Sequence, residues 1–113
     1  MLSFENRPWG RWEEFVNESG YRVKRIIVDP GKRLSLQRHE LREEYWVIAQ
    51  GIGLMTLNED CEPVSKGDTV HIGKNEIHRV ENTGSEPLVI VETQLGLCSE
   101  EDIIRLEDDW GRA

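Results

Sequence analysis

Long apolar runs are missing from this chain. No window of its 113 residues approaches the roughly 20 apolar residues that a transmembrane helix needs. The N-terminus, MLSFENRPWGRWEEF, lacks a basic segment followed by an apolar one, so no leader is read there and a cytoplasmic protein is the expectation. Cysteine is scarce: Cys61 and Cys98 stand alone, without a CxxC or a paired metal spacing, which removes zinc-finger and thioredoxin readings. Sequence does not decide whether they pair, and each reads as an unreactive thiol because no basic neighbourhood surrounds it. Positive charge is in deficit, with 14 Lys and Arg against 22 Asp and Glu and a net charge of −8. Neither nucleic acid nor an anionic membrane is therefore expected as a partner. Heptads and a glycine-rich phosphate loop are also absent, which removes coiled-coil, P-loop and Rossmann readings, and the sequence has no internal repeat or low-complexity tract.

What is present fits one globular domain over residues 1–113. The length matches a single hydrophobic core, and 37% hydrophobic with 32% charged residues describes a folded chain rather than a disordered one. The charge is unevenly placed. Residues 1–42 carry nine Lys and Arg against six Asp and Glu, whereas residues 43–113 carry five against sixteen. Lys24, Arg25, Lys32, Arg33, Arg38 and Arg42 cluster in strand-like segments, where alternate side chains turn inward.

Short extended segments punctuated by turn residues follow one another. YRVKRIIV (21–28) is rich in β-branched residues and ends at Asp29-Pro30-Gly31, a turn signal. RLSLQRH (33–39) alternates, which puts Arg33, Ser35, Gln37 and His39 on one face. EYWVIA (44–49), LMTL (54–57), DTVHIG (68–73), HRVEN (78–82) and PLVIVETQ (87–94) complete the series, with NEDCEP read as a turn. Such a run of short strands predicts an all-β sandwich or barrel. The C-terminal CSEEDIIRLEDDWGR reads differently: Ser99 is a good N-cap, Asp102 lies three residues on, and Glu100 and Glu101 suit a helix N-terminus. One short helix is expected there.

Polar residues inside the apolar strands carry the chemistry. The strand period sends Gln37 and His39 to one side, about 7 Å apart along the chain. Glu44 opens the next strand and His78 a later one. Two imidazoles and two side-chain oxygens make a mixed N/O set for a divalent Mn, Fe, Co, Ni or Zn ion; a hydrogen-bonded polar cluster is the alternative.

The spacing Gly31-x5-Gln37-x-His39-x4-Glu44-x6-Gly51, followed by Gly67-x5-Gly73-x-Asn75-x2-His78-x3-Asn82, resembles the two cupin motifs, with Gln37 in place of the first His and Gly73 and Asn75 in place of the usual Pro and Gly. RPWG (7–10), GYRVKRIIVDPGKRLSLQ (20–37), EYWVIAQG (44–51), HRVEN (78–82) and EDIIRLEDDWGR (101–112) resemble the cupin domain of type II mannose-6-phosphate isomerases, found at the C-terminus of bifunctional mannose-1-phosphate guanylyltransferases. The resemblance implies a single cupin, a small jelly-roll barrel, with a metal held by Gln37, His39, Glu44 and His78. Where that family typically has QMHHHRAEHW, this chain has QRHELREEYW, so two further histidines are replaced by Glu40 and Leu41 while Arg42 is kept. Relatives commonly dimerise, and the strand edges of so small a barrel invite pairing, so a homodimer is expected.

The function this implies is aldose–ketose isomerisation of mannose 6-phosphate and fructose 6-phosphate. Arg42 is the preferred contact for a sugar phosphate or its enediolate, since Arg binds oxyanions bidentately. Arg33 shares the parity of Gln37 and His39, and one of the adjacent pair Lys24 and Arg25 turns inward, so these three are further phosphate candidates. Trp46 shares the face of Glu44 and is a candidate wall of the sugar pocket, while Trp9, Trp12 and Trp110 read as packing or dimer contacts and His71 as structural. Glu92 in VETQ is the candidate base, with Glu40 and a metal-held hydroxide as others. Two readings compete: a noncatalytic metal-containing module that binds a sugar phosphate or nucleotide sugar in polysaccharide synthesis, and a small iron oxygenase.

Overall fold

The computed structural model describes residues 1–111, the side chain of Glu100 excepted. The β-branched segments form strands, and the glycine and proline positions turn them. The strands are β1 (Ser3–Arg7), β2 (Gly10–Glu18), β3 (Tyr21–Val28), β4 (Leu36–His39), β5 (Arg42–Gln50), β6 (Ile52–Leu57), β7 (Asp60–Ser65), β8 (Thr69–Ile72), β9 (His78–Asn82), β10 (Leu88–Gly96) and β11 (Ile103–Glu107). Two sheets result, β1-β2-β3-β10-β5-β8 and β11-β4-β9-β6-β7. Neighbours pair antiparallel throughout, so the all-β jelly roll read from the sequence is the observed architecture.

The sheets face each other across one core. Ile26, Val28, Ile48, Leu88 and Ile90 come from the six-stranded sheet, and Met55, Val64 and Val80 from the five-stranded one. Burying each such side chain contributes about 1.5–3 kcal/mol. Trp9, in the β1–β2 turn, joins this core at 5% exposure. Gly96 ends β10 with φ +119°, where a Cβ would stand 2.5 Å from the Leu41 carbonyl oxygen and 3.3 Å from Arg42 Cα. Only glycine lets the start of β5 lie so close.

Three expectations need correcting: the first is the NEDCEP turn, most of which is strand β7 (Asp60–Ser65), with Pro63 tolerated at the sheet edge. The C-terminal helix is a single 3-10 turn at Glu100–Asp102, followed by strand β11. The Ser99 cap does form, with Glu101 N–H donating to Ser99 Oγ at 3.2 Å. The Asp102 carboxylate, however, accepts the Glu40 and Leu41 N–H groups at 3.1 and 2.9 Å, and Ile103, Ile104 and Arg105 pair with His39, Arg38 and Gln37 of β4. Sheet completion outweighs a local helix signal. The strand expected over 33–39 begins only at Leu36, because Leu34 and Ser35 are both buried and Leu34 N–H is spent on Val80 O. Two consecutive inward residues break the alternation and turn Arg33 outward.

Candidate metal centre and cleft

Strand parity builds the site on the inner face of the large sheet. Along β3, β10 and β5, Ile26, Ile90 and Ile48 make an apolar rung, and Lys24, Glu92 and Trp46 make the next. Gln94 and Glu44 stand opposite one another in the rung beyond, and Gly96 and Arg42 after that. A dry floor thus gives way to a buried polar layer within two residues of chain. The small sheet supplies the opposing wall: Arg105 pairs with Gln37, and Gln37 with His78.

His39, Glu44 and His78, all buried, offer ligand atoms within 4.8 Å of one another. Their surroundings fix how they point. His78 Nδ1–H donates to Glu76 O at 3.0 Å, leaving the Nε2 lone pair free. That atom is buried without a hydrogen-bond partner, as is His39 Nδ1. The loop before His78 is held by Glu76, which accepts from Gly73 N–H at 2.7 Å and Asn58 Nδ2 at 2.8 Å. Asn75 there has φ +65°, the left-handed conformation its motif position requires and asparagine tolerates. Trp46 Nε1–H donates to Glu44 Oε1 at 3.0 Å. Arg42 Nε donates to Oε2 at 2.9 Å, and His39 Nε2 lies 3.1 Å from the same oxygen.

Burial alone would raise the Glu44 carboxyl, but the hydrogen bond and charge of His39, with Arg42 and His78, outweigh it and hold the group well below the usual range. Glu44 is thus an anion in the interior. Burial lowers His78, which keeps its imidazole neutral as a metal ligand must be. Burial moves Glu92 up to about 8, reinforced by the Glu44 charge and a hydrogen bond between the two, so Glu92 holds its proton at neutral pH. A neutral imidazole with an orphaned lone pair, a second imidazole and a buried anion form a donor set that a divalent cation satisfies. Gln37 is cross-strand from His78 and lines the adjoining cleft.

Beside this cluster lies a narrow cleft of about 70 Å³ whose lining includes Lys24, Gln37, Arg42, Glu92 and Gln94. Most of the residues expected at a site converge here: Gln37, His39, Arg42, Glu44, His78, Glu92 and, of the adjacent pair, Lys24. Arg25 points outward to Glu13 at 2.6 Å. Arg33 also lies outside, gripping Asp109 through two hydrogen bonds of 2.7 and 2.8 Å. Trp46 is 2% exposed and edge-on to His78; it braces Glu44 and is not part of the cleft wall. His71 is exposed, stacked on Tyr45, and both cysteines are free thiols. Sequence reasoning missed Arg7, Trp12, Gln94 and Arg105, which also line the cleft. Gln94 was available by strand parity from Glu92; Arg7 and Arg105 lay unread within the RPWG and EDIIRLEDDWGR segments.

Two packed antiparallel sheets with imidazoles and a carboxylate converging between them define a cupin with a candidate metal centre. The profile described as "Mannose-6-phosphate isomerase C-terminal" matches residues 3–108, and the chain belongs to that family. Among relatives, the Salmonella typhimurium mannose-1-phosphate guanylyltransferase ManC is 36% identical over 94% of this chain, and the Pseudomonas aeruginosa alginate biosynthesis protein AlgA is 38% identical over 94%. The chain spans only 22% of the length of either. The Schizosaccharomyces pombe Cnp3 cupin domain matches 76% of this chain and 64% of its own with a TM-score of 0.74 at 14% identity, a likeness of fold alone. Among the described residues no helix is long and apolar enough to cross a membrane.

Proposed function

We propose that this chain is a metal-dependent isomerase interconverting mannose 6-phosphate and fructose 6-phosphate. The observation that carries the reading is the placement, around one cleft, of a buried ligand cluster, an arginine touching it, and a buried carboxyl, Glu92, on the cleft wall. Isomerisation moves a proton between C1 and C2 through an enediol, so it needs proton-handling groups and a counter-charge for the developing oxyanion. Gln37, His39, Glu44 and His78 would hold a divalent ion, which would supply Lewis-acid polarisation of the sugar oxygens. Arg42, fixed by Glu44 and by its 3.2 Å bond to Ser99 O, presents a guanidinium to the enediolate. Glu92, in its carboxylate form, takes the C2 proton and returns it to C1 while the O2 proton passes to O1 through solvent, and Gln94 Nε2–H on its Oε1 at 2.5 Å holds its orientation. Lys24 adds positive charge on the same wall.

The test is a coupled assay on mannose 6-phosphate with metal-reconstituted protein. Turnover should depend on the metal and fall at least about 100-fold in His39→Ala and Arg42→Ala, the usual scale for a lost charge-stabilising group. No turnover with metal bound overturns the isomerase. The second reading, a noncatalytic module that binds a sugar phosphate or nucleotide sugar in polysaccharide synthesis, is favoured by Glu40 and Leu41 at the family's histidine positions. Both side chains are exposed, and their backbone N–H groups are the part engaged, by Asp102.

A further inference from the structure

A chain of net charge −8 gathers, among the described residues, four cations, Arg7, Lys24, Arg42 and Arg105, around one cleft whose described lining contains a single acid, Glu92. They come from four separate places in the chain: the end of β1, β3, the start of β5, and β11. Their depth is graded. Lys24 and Arg42 are each 4% exposed, while Arg7 and Arg105 are half-buried. Arg42 is committed to Glu44. Arg7 touches Glu5 at 2.9 Å, but both ends of that pair are solvent-accessible, and such contacts are worth little and exchange readily. At the deep end, Gln94 is 1% exposed; its Nε2 serves Glu92, and its Oε1 is buried without a hydrogen-bond partner. An orphaned acceptor in a cleft wall calls for a ligand that brings a donor.

We propose that the cleft binds its ligand in one orientation, with a phosphate held outermost by Arg7 and Arg105 and a hydroxyl donated inward to Gln94 Oε1. This rests on the reading of the cleft as a sugar-phosphate site and adds the residues that read each end. A phosphate dianion is strongly hydrated, so it belongs at the accessible end, where two guanidinium forks meet it bidentately. A sugar hydroxyl sheds its water at less cost and belongs at the buried end. The ligand class is thus an anionic polyol, and neither a bare polyol nor a bare anion satisfies both ends.

The experiment is calorimetric titration of the metal-loaded chain with inorganic phosphate, mannose 6-phosphate and mannose. The variants are Arg105→Gln, Arg7→Gln, Gln94→Leu and, as a charge control, Arg38→Gln, whose side chain pairs with Glu40 and Asn75 outside the cleft. Arg105→Gln and Arg7→Gln should weaken phosphate and mannose 6-phosphate alike, by about tenfold each. Gln94→Leu should weaken mannose 6-phosphate by several-fold and leave inorganic phosphate unchanged. Arg38→Gln should leave both unchanged, and circular dichroism with thermal melts confirms that each variant is folded. The proposal is overturned if Arg105→Gln and Arg7→Gln bind phosphate as the parent does, if Arg38→Gln loses as much, or if the parent binds no phosphate at millimolar concentration. Because binding is read apart from turnover, a chain that binds in this pattern but does not isomerise rejects the isomerase and keeps the subsite.

Discussion

The inner face of the large sheet has two ends built from the same three strands with the same parity. At one end, Ile26, Ile90 and Ile48 close a dry core; one rung on, Lys24, Glu92 and Trp46 begin a buried polar layer. Both belong to the same antiparallel ladders. The contrast teaches that the alternation of a strand decides which side chains turn inward, whereas position along the strand decides whether they serve cohesion or chemistry. The dry end is also what makes the polar end affordable: burying Glu44, Glu92 and Gln94 costs free energy that the aliphatic rungs offset.

Substitutions at matched positions of one strand sharpen that comparison. In the dry end, Ile90→Ala removes a fully buried side chain and should cost about 2–5 kcal/mol in denaturant unfolding. Two residues on, Glu92→Gln keeps shape and hydrogen-bonding capacity and should cost under about 1 kcal/mol in the same measurement; equal losses would erase the distinction between the ends. At the far edge of the polar layer, Gly96→Ala places a Cβ against the Leu41 carbonyl at a positive φ and should cost about 1–3 kcal/mol. It should also shift the near-ultraviolet signal of Trp46, since Arg42 and Trp46 share Glu44.

The smallest effect belongs to the outer face of the same sheet. Glu13 is held below the usual carboxylate range by its hydrogen bond to Arg25, then by the charges of Arg25 and Arg11, against a desolvation that opposes them. A lowered folded-state value means stability that is present above the ordinary carboxylate pKa and lost as pH falls through the depressed one. Glu13→Gln should therefore lower the melting temperature slightly at neutral pH, with the difference from the parent vanishing in acid. A difference that grows in acid would reverse the assignment.

Much of this was legible before any coordinates. The meeting of His39, Glu44 and His78 was readable from the motif spacing, with His39 closing β4, His78 opening β9 and Glu44 on the inward parity of β5. The choice between Lys24 and Arg25 was not, since YRVKRIIV carries apolar residues at both phases and only pairing with β10 selects Ile26 and Val28 as the core side. Arg33 was misplaced because two consecutive buried residues, Leu34 and Ser35, interrupt the alternation. Strand β7 was read as a turn through its Pro63, which an edge strand accommodates because its outer N–H positions need no partner. The acidic run at 100–102 signalled a helix correctly at its cap, but the partner that draws Ile103 and Ile104 into a strand lies about sixty residues away and leaves no local trace.

That distant partner imposes an order in time. The bend between His39 and Arg42 is held by the Asp102 carboxylate on the N–H groups of Glu40 and Leu41 and by Ser99 O on Arg42, contacts 57 to 62 residues apart in sequence. Closing loops of that length comes late, after local pairings have formed. The dry rung is no more local, since Ile26 pairs with Ile90; what sets the bend apart is that Ser99 and Asp102 follow every member of that rung in the chain, so in synthesis the segment made last is the one that brings the cluster into register.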